Sequence, residues 1–397
     1  MRISTSQIFS NGVNRMLEQQ AQLIETQTQL ASGKRIINPS DDPVGAVRSL
    51  ELTRANEKTA QYDRNANYLD ARLRVEENAI SNSIDVLQRV KQLAVQANNA
   101  AQSNESRAAI AAELDQHFSA LLDLANTRDS NGRSIFAGYQ QSGDAFTKTA
   151  TGVVYNGDDG QRALQVGANR TLADSDPGSH VFMGINNGNS RFQTSANPAN
   201  TGDAYIDAGS VTDLGNYSGE SFTIAFTAAD QYQLLDSTGS IVGGGNFANG
   251  DSITVGGMTV TLQGQPQGGD EFQLQSAVAQ DVFSMVAELR DSLMESRPDA
   301  AARGQQTTEI NTSLANLDRA LDHLITTQAG IGARMQTLER QIDINSAASL
   351  QIQENLSLVN DLDYAEAISR FEQQRIGLEA AQKAFAKVQG LSLFNYI

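Results

Sequence analysis

Apolar residues recur at alternating steps of four and three in the last third of the chain. From Ile310 these steps visit fifteen positions as far as Val359, and twelve of them are apolar. This spacing is a heptad seam, along which one helix packs against a partner helix. A second segment with the same spacing begins at Tyr364 and ends near Gly390, a residue type that favours helix ends. Its seam positions include Phe371, Leu378, Phe385 and Val388.

The first third of the chain has a similar but weaker pattern. Its first stripe consists of Phe9, Val13, Met16, Leu23 and Leu30. The run ASGKRIINPSDDPVGA at 31–46 interrupts it, because glycine and proline at this density cannot all lie within one helix. We interpret this run as an inter-helix turn in which Ser40, Asp41 or Asp42 caps the next helix. The turn residues are Gly33, Pro39, Asp41, Asp42 and Pro43. The seam resumes over 62–97, and a third helix is predicted over 104–128.

The middle of the chain, about 135–277, has a different character. Glycine is dense there, and apolar residues alternate with polar ones, as in Phe222, Ile224 and Phe226. A period of two predicts β-strands. The sequence VGGM at 255–258 joins two such runs in the way that a two-glycine hairpin turn does.

These patterns predict an α+β multidomain protein. Both chain ends form a long antiparallel helical coiled-coil rod, and a β-rich domain is inserted between them. The predicted segments are 1–45 for assembly and export, 46–135 for the first rod helices, 136–277 for the β-rich domain, 278–363 for the later rod helices, and 364–397 for a C-terminal assembly helix and tail.

The net charge of −17 and the absence of cysteine limit the partners and the covalent cross-links that the chain can have. An anionic chain is repelled by nucleic acid and by anionic membranes, so we expect neither as a partner. Without cysteine there is no disulfide framework. The N-terminus MRISTSQIFS lacks an apolar core of roughly 7–15 residues, so we expect no cleaved signal peptide.

Candidate catalytic and metal-binding residues are few. Asp158 and Asp159 in YNGDDGQ, and the pair Asp41 and Asp42, have the glycine and proline neighbours of turns and caps. The residues lack the ligand spacing of a calcium loop and the known zinc, phosphate and nucleophile motifs. We therefore expect no enzyme activity, no cofactor and no metal. The seam itself points to a structural or assembly protein, and an adhesin or hydrolase on a helical stalk is the less favoured alternative.

The sequence LSLFNYI at 391–397 places Leu391, Leu393, Phe394, Tyr396 and Ile397 at the very end of the chain. Chain ends have little surface of their own to pack against. We therefore expect partners from other chains. The predicted assembly interface consists of Phe9, Val13, Met16, Leu23, Leu30, Phe371, Leu378, Phe385, Val388, Leu391, Leu393, Phe394 and Ile397.

Four runs resemble the bacterial flagellin family. They are QTQLASGKRIINPSDDPVGA at 27–46, LQRVKQLAVQANN at 87–99, NGRSIFAGYQ at 131–140, and the whole of 333–397. The resemblance covers about 1–140 and 280–397. Flagellin itself and the hook-associated members remain open, and INPSDDP, NGRSIFAG and LSLFNYI favour a member at the junction of hook and filament.

The resemblance implies a structural protein of the extracellular flagellum, exported by the flagellar type III system without a cleaved signal. It implies four kinds of partner. These are further copies of the chain in a ring, another hook-associated protein on the hook side, flagellin on the filament side, and an export chaperone at the C-terminal helix.

Truncation at Gly390 tests the assembly role of the tail. Each of its five large apolar side chains contributes roughly 1.5–3 kcal/mol when fully buried. An assembly that buries them would lose on the order of 5–10 kcal/mol per subunit, after a discount for ordering entropy. We expect the truncated monomer to keep its Tm to within about two degrees and to support no filaments in electron micrographs. A clear fall in the monomer Tm would show instead that the tail packs within its own chain.

Overall fold

The computed structural model describes residues 5–140 and 142–390. Seven helices lie in this part of the chain: α1 Thr5–Ser32, α2 Pro43–Ala97, α3 Asn104–Ala125, α4 Gly178–Phe182, α5 Val282–Met294, α6 Ala300–Asn360 and α7 Tyr364–Gly390. Long helices at both chain ends therefore flank a β-rich region, which confirms the predicted fold class. Helix α3 ends at Ala125, three residues before the predicted end at 128. The next residue, Asn126, ends the helix because its side chain hydrogen-bonds the backbone of Phe146.

The β-rich region contains fifteen strands in the described residues. They are β1 Phe146–Thr149, β2 Gly152–Tyr155, β3 Ala163–Gly167, β4 Arg170–Ala173, β5 Ile185–Asn186, β6 Phe192–Ala196, β7 Tyr205–Ile206, β8 Ser210–Val211, β9 Phe222–Ala228, β10 Gln231–Asp236, β11 Ile241–Asn246, β12 Ser252–Val255, β13 Met258–Gln263, β14 Glu271–Ser276 and β15 Ala279–Gln280.

Two antiparallel sheets share one apolar core. The larger sheet has the order β11-β10-β9-β14-β6, and the smaller one has β12-β13-β7, with β8 also paired to β13. Alternate side chains of both sheets, such as Ile224 and Val260, are buried in this core. The predicted VGGM hairpin is confirmed, because Val255 lies opposite Met258 and the two glycines between them have φ of 53° and 78°. A two-residue turn with positive φ at both positions matches the twist of paired strands.

The chain divides into two compact units. Unit 1 comprises residues 1–64 and 341–397, and unit 2 comprises residues 65–340.

In unit 2, helices α2 and α6 run antiparallel. Asn98 Nδ2 donates to Asn311 Oδ1 at 3.1 Å, and Gln328 Nε2 donates to Glu77 Oε1 at 3.0 Å. Between these two points Lys91 pairs with Asp318. Most apolar seam residues of α6 in this unit are buried, as the heptad pattern predicts, and Leu314 and Met335 are half-buried. The buried ones are Ile310, Leu317, Leu321, Leu324, Ile331 and Leu338.

Unit 2 also buries a network of charged side chains. Arg72 of α2 is only 2% exposed, and its Nη1 and Nε lie 2.8 Å and 3.1 Å from carboxylate oxygens of Asp129 and Asp174. Arg162 pairs with Asp174 as well. A buried guanidinium is stable only while its carboxylates are present, so this network joins α2 to two loops distant in sequence.

Glu76 lies one helical turn after Arg72 and is completely buried. Its Oε1 accepts a hydrogen bond from the Asp176 backbone N–H at 2.6 Å. Its Oε2 lies 4.0 Å from Arg334, and the same Arg334 forms a shorter ion pair with Asp176. Burial, and next the nearby charge of Asp176, raise the pKa of Glu76 to about 8, although Arg334 opposes the shift.

This raised pKa predicts that stability falls as the pH rises. Folded Glu76 keeps its proton up to about pH 8, whereas an unfolded glutamate loses it near its ordinary pKa of 4.5. Between these values the folded state binds more protons, so raising the pH lowers the free energy of unfolding, by at most about 1.4 kcal/mol per pH unit. We expect Glu76→Gln to remove this slope in urea unfolding measured from pH 5.5 to 8.5. Parallel pH curves for the variant and the natural protein would contradict this.

Candidate assembly surface

Helices α1 and α7 pack against each other in unit 1. The rings of Phe9 and Phe385 meet edge to face, with centroids 5.5 Å apart. Gly12 permits this approach, because a Cβ there would lie 3.2 Å from the Phe385 ring. At the other end of the helix pair, Gly33 lies next to Tyr364. The two helices are therefore antiparallel.

Three of the predicted interface residues lie at the contact between these helices. Phe9, Met16 and Phe385 line a groove of about 380 Å³ between α1 and α7, together with Arg15 and Ala381. Val13 is 40% exposed. The remaining predicted residues of the two helices are half-buried: Leu23, Leu30, Phe371 and Leu378. The side chain of Val388, and residues Leu391, Leu393, Phe394 and Ile397, lie outside the described part of the chain.

A second apolar stripe on these helices faces outward, and the sequence reasoning missed it. Leu17 and Ile24 on α1 are 57% and 54% exposed, and Ile368 and Ile376 on α7 are 53% and 62% exposed. In α1 the stripe has its own heptad spacing, one residue beyond Met16 and Leu23. This spacing could have revealed the second stripe from the sequence, because a helix with two adjacent apolar stripes requires two partners.

Unit 1 as a whole exposes apolar side chains and buries few. Among the described residues, thirteen exposed large apolar side chains belong to unit 1, and nine belong to the much longer unit 2. The buried apolar side chains described in unit 1 are Tyr62, Leu362 and Ala367. Exposed apolar side chains in this number are typical of a protein–protein interface.

The turn between α1 and α2 is built by the residues that the sequence indicated. Gly33 ends α1 with a φ of 69°, and its N–H donates to Gln29 O at 2.8 Å. Pro39 occupies the second position of a turn in which Asp41 N donates to Asn38 O at 3.0 Å. Asp41 Oδ2 also accepts from the Asn38 N–H at 2.8 Å. The turn is therefore closed by both backbone and side-chain hydrogen bonds.

Asp42 caps helix α2, and Pro43 is its first residue. Asp42 Oδ1 accepts from the Gly45 N–H at 2.9 Å. This hydrogen bond, and next the hydrogen bond and charge of Arg35, hold the pKa of Asp42 below its usual value despite some desolvation. Proline fits the first helical turn because its missing N–H has no helical acceptor there.

This turn pairs with the turn between α6 and α7. Arg35 N donates to Asn360 O at 2.7 Å, and Leu362 N donates to Gly33 O at 3.0 Å. The Arg35 guanidinium donates to Val359 O at 2.9 Å and to Asp42 Oδ2 at 3.1 Å. We call residues 33–43 and 359–364 the paired turns. They connect the turn between α1 and α2 to the turn between α6 and α7. The sequence alone did not indicate a role for Arg35.

The other candidate sites behave as turns. Asp158 Oδ1 accepts from the Gly160 N–H at 2.7 Å, which supports the turn interpretation, and also from the distant Tyr139 N–H at 3.0 Å. Over residues 5–140 and 142–390, we find no cluster of three His, Cys, Asp or Glu side chains suited to a metal ion. In the same residues, none of the helices combines the length and the hydropathy required to span a bilayer.

Two family models match the chain. The bacterial flagellin N-terminal helical region matches residues 3–141, and the bacterial flagellin C-terminal helical region matches residues 314–397. Flagellar hook-associated protein 3 of Escherichia coli strain K12 is 25% identical over the whole of this chain and 99% of its own length.

Solved structures agree with these matches. The crystal structure of Xanthomonas campestris FlgL superposes with a TM-score of 0.73 at 31% identity, covering 77% of this chain and 99% of that one. The flagellar junction protein FlgL from Legionella pneumophila gives a TM-score of 0.69 at 30% identity, covering 73% and 99%. The family predicted from the sequence motifs is confirmed: the chain belongs to the bacterial flagellin family, as one of its hook-associated proteins.

Proposed function

We propose that the chain joins the hook of the bacterial flagellum to the filament, as the subunit of a ring built from its own copies. The observation that carries this proposal is the exposed apolar surface of unit 1, which a single chain does not cover. Relatives aligned over their full length, which are described as hook-associated or junction proteins, support the junction rather than the filament itself.

In this proposal the partners are those that the family resemblance implies. Another hook-associated protein contacts the ring on the hook side, and flagellin contacts it on the filament side. The chain reaches the cell exterior through the flagellar type III system without a cleaved signal, and an export chaperone binds the C-terminal helix beforehand. The outward stripe of α7, including Ile368 and Ile376, is a suitable apolar surface for either the chaperone or a neighbouring subunit.

Replacing the outward stripe with charge should separate assembly from folding. We expect Ile24→Glu and Ile376→Glu to change the monomer Tm little, because both side chains are more than half exposed. In an assembly, each replacement loses roughly 1.5–3 kcal/mol of apolar burial and also buries a charge. Filaments in a complemented deletion strain should therefore be absent or rare by electron microscopy.

Ile325→Glu is the matched control for these variants. Ile325 is 49% exposed and also lies on a long helix, but it belongs to unit 2. Filaments should persist in this variant. If Ile24→Glu and Ile376→Glu assembled as well as Ile325→Glu, the outward stripe would have no part in assembly.

Deleting the gene should distinguish a junction protein from a filament subunit. A strain without the junction keeps its hooks, carries no filaments and releases unpolymerised flagellin into the medium, because export continues while filament growth has no base. Electron microscopy and immunoblotting of the medium measure both effects. Immunogold labelling of the natural protein should mark one band next to the hook, whereas labelling along the whole filament would favour the flagellin alternative.

A further inference from the structure

The first turns of α2, in unit 1, carry an apolar surface that the described residues leave largely exposed. Val44, Val47 and Leu50 are 80%, 59% and 50% exposed. They follow one another at intervals of three residues and therefore lie along one side of the helix. Ser49 faces the end of α6 instead, where its Oγ accepts from Asn360 Nδ2 at 2.7 Å. We call Val44, Val47 and Leu50 the α2 patch.

Positive charge accompanies the α2 patch. Arg48 follows Val47 in the sequence, and Arg54 lies seven residues after Val47, on the same side of the helix. Both arginines are exposed, and neither forms an ion pair within the described residues. Glu51 lies between them, so the three side chains leave a net charge of +1.

Negative charge accompanies the α1 part of the outward stripe. Glu18 follows Leu17, and Glu25 follows Ile24. Both glutamates are exposed and have no ion pair in the described part of the chain. The glutamates of α7, in contrast, all pair with a cation of their own helix: Glu366, Glu372 and Glu379. The two carboxylates of α1 therefore remain available to a partner.

The spacing of the charges matches between the two surfaces. Glu18 and Glu25 are seven residues apart, which is about 10 Å along a helix, and Arg48 and Arg54 are six residues apart, about 9 Å. Two helices lying side by side can therefore bring both carboxylates to both guanidinium groups while their apolar residues meet. Complementary charge of this kind sets the register of an interface and disfavours wrong pairings.

A ring needs two different surfaces on each copy. A surface that pairs with its own equivalent closes at two copies, whereas a contact between unlike surfaces continues from copy to copy until the ring is complete. Pairing two outward stripes would also place the carboxylates of α1 against each other, which is unfavourable. Within one chain the stripe and the α2 patch do not cover each other, since both are exposed.

We propose that the α1 part of the outward stripe of one copy docks on the α2 patch of the next copy, with Glu18 and Glu25 paired to Arg48 and Arg54. This assignment of partner surfaces rests on the function proposed above, because it takes a ring of copies as its starting point.

Disulfide cross-linking in isolated flagella tests this contact, because the chain has no cysteine of its own. Ala21 lies in the middle of the stripe, between Leu17 and Ile24, and Glu51 lies between the two arginines of the α2 patch. Both are exposed. We expect chains carrying Ala21→Cys together with Glu51→Cys to form a ladder of linked multimers on non-reducing gels. Chains with one of these cysteines should stay monomeric.

The control for cross-linking replaces Glu51→Cys with Ile325→Cys. Ile325 is 49% exposed but belongs to unit 2, so the control should form no ladder. The absence of a ladder from Ala21→Cys with Glu51→Cys, or an equal ladder from the control, would overturn the proposal. Dimers from either single-cysteine chain would also overturn it, because they would show that like surfaces meet.

Charge reversal is the second test. We expect Arg48→Glu with Arg54→Glu to reduce the number of filaments per cell at least about tenfold, because like charges would then face each other. Adding Glu18→Arg and Glu25→Arg to the same chain should restore the filaments. Circular dichroism melting should show little change in any of these chains, since all four side chains are exposed. Unchanged filaments after the first reversal, or no rescue by the second, would contradict the contact.

Immunogold labelling separates failure of this contact from failure of the proposed function. A labelled band next to the hook, combined with no ladder and no effect of charge reversal, would overturn only the docking of the stripe on the α2 patch. Labelling along the whole filament would overturn the junction function itself.

Discussion

Two helices that pack only against each other cannot bury more than one apolar stripe apiece. This constraint governs unit 1, in which α1 and α7 meet through Phe9, Gly12 and Phe385 and leave Ile24 and Ile376 in solvent. Solvent-exposed apolar stripes favour association with other chains. The surface that we propose for assembly is thus the surface that a single chain leaves uncovered.

Unit 2, in contrast, buries most of the apolar stripes of its helices within one chain. Here α2 and α6 pair with each other, and backbone N–H groups of the β-rich region donate to side chains of α6 at Thr308 and Asn316, so most of the seam is buried within one chain. It also buries charges, with Arg72 held between Asp129 and Asp174. Such a network adds little net stability relative to an apolar core, yet losing one partner is costly. The network therefore favours one arrangement of α2 and its loops over alternatives that would leave Arg72 unpaired.

The sequence predicts best where a local pattern and the final environment agree. The seam of α6 and the VGGM hairpin were predicted because period and turn chemistry are local properties, and Asp42 was a cap candidate for the same reason. The sequence could not predict the burial of Glu76 and Arg72, since charged residues on a helix are ordinarily solvated. Nor could it predict the role of Arg35, because its guanidinium donates to Val359 O and to Asp42 Oδ2, which lie in two turns far apart in the sequence.

Unit 1 is assembled from the first 64 and the last 57 residues of the chain, and the paired turns join these two ends by backbone hydrogen bonds. The paired turns can form only when both ends of the chain are present, because the hydrogen-bond partners of Arg35 N and Gly33 O lie more than 320 residues away in the sequence. Contacts of such long sequence separation form late in folding. A chain cut short anywhere before residue 360 lacks these partners altogether. The topology therefore makes unit 1 depend on both ends of the chain: a shortened fragment cannot form the unit that we propose for assembly.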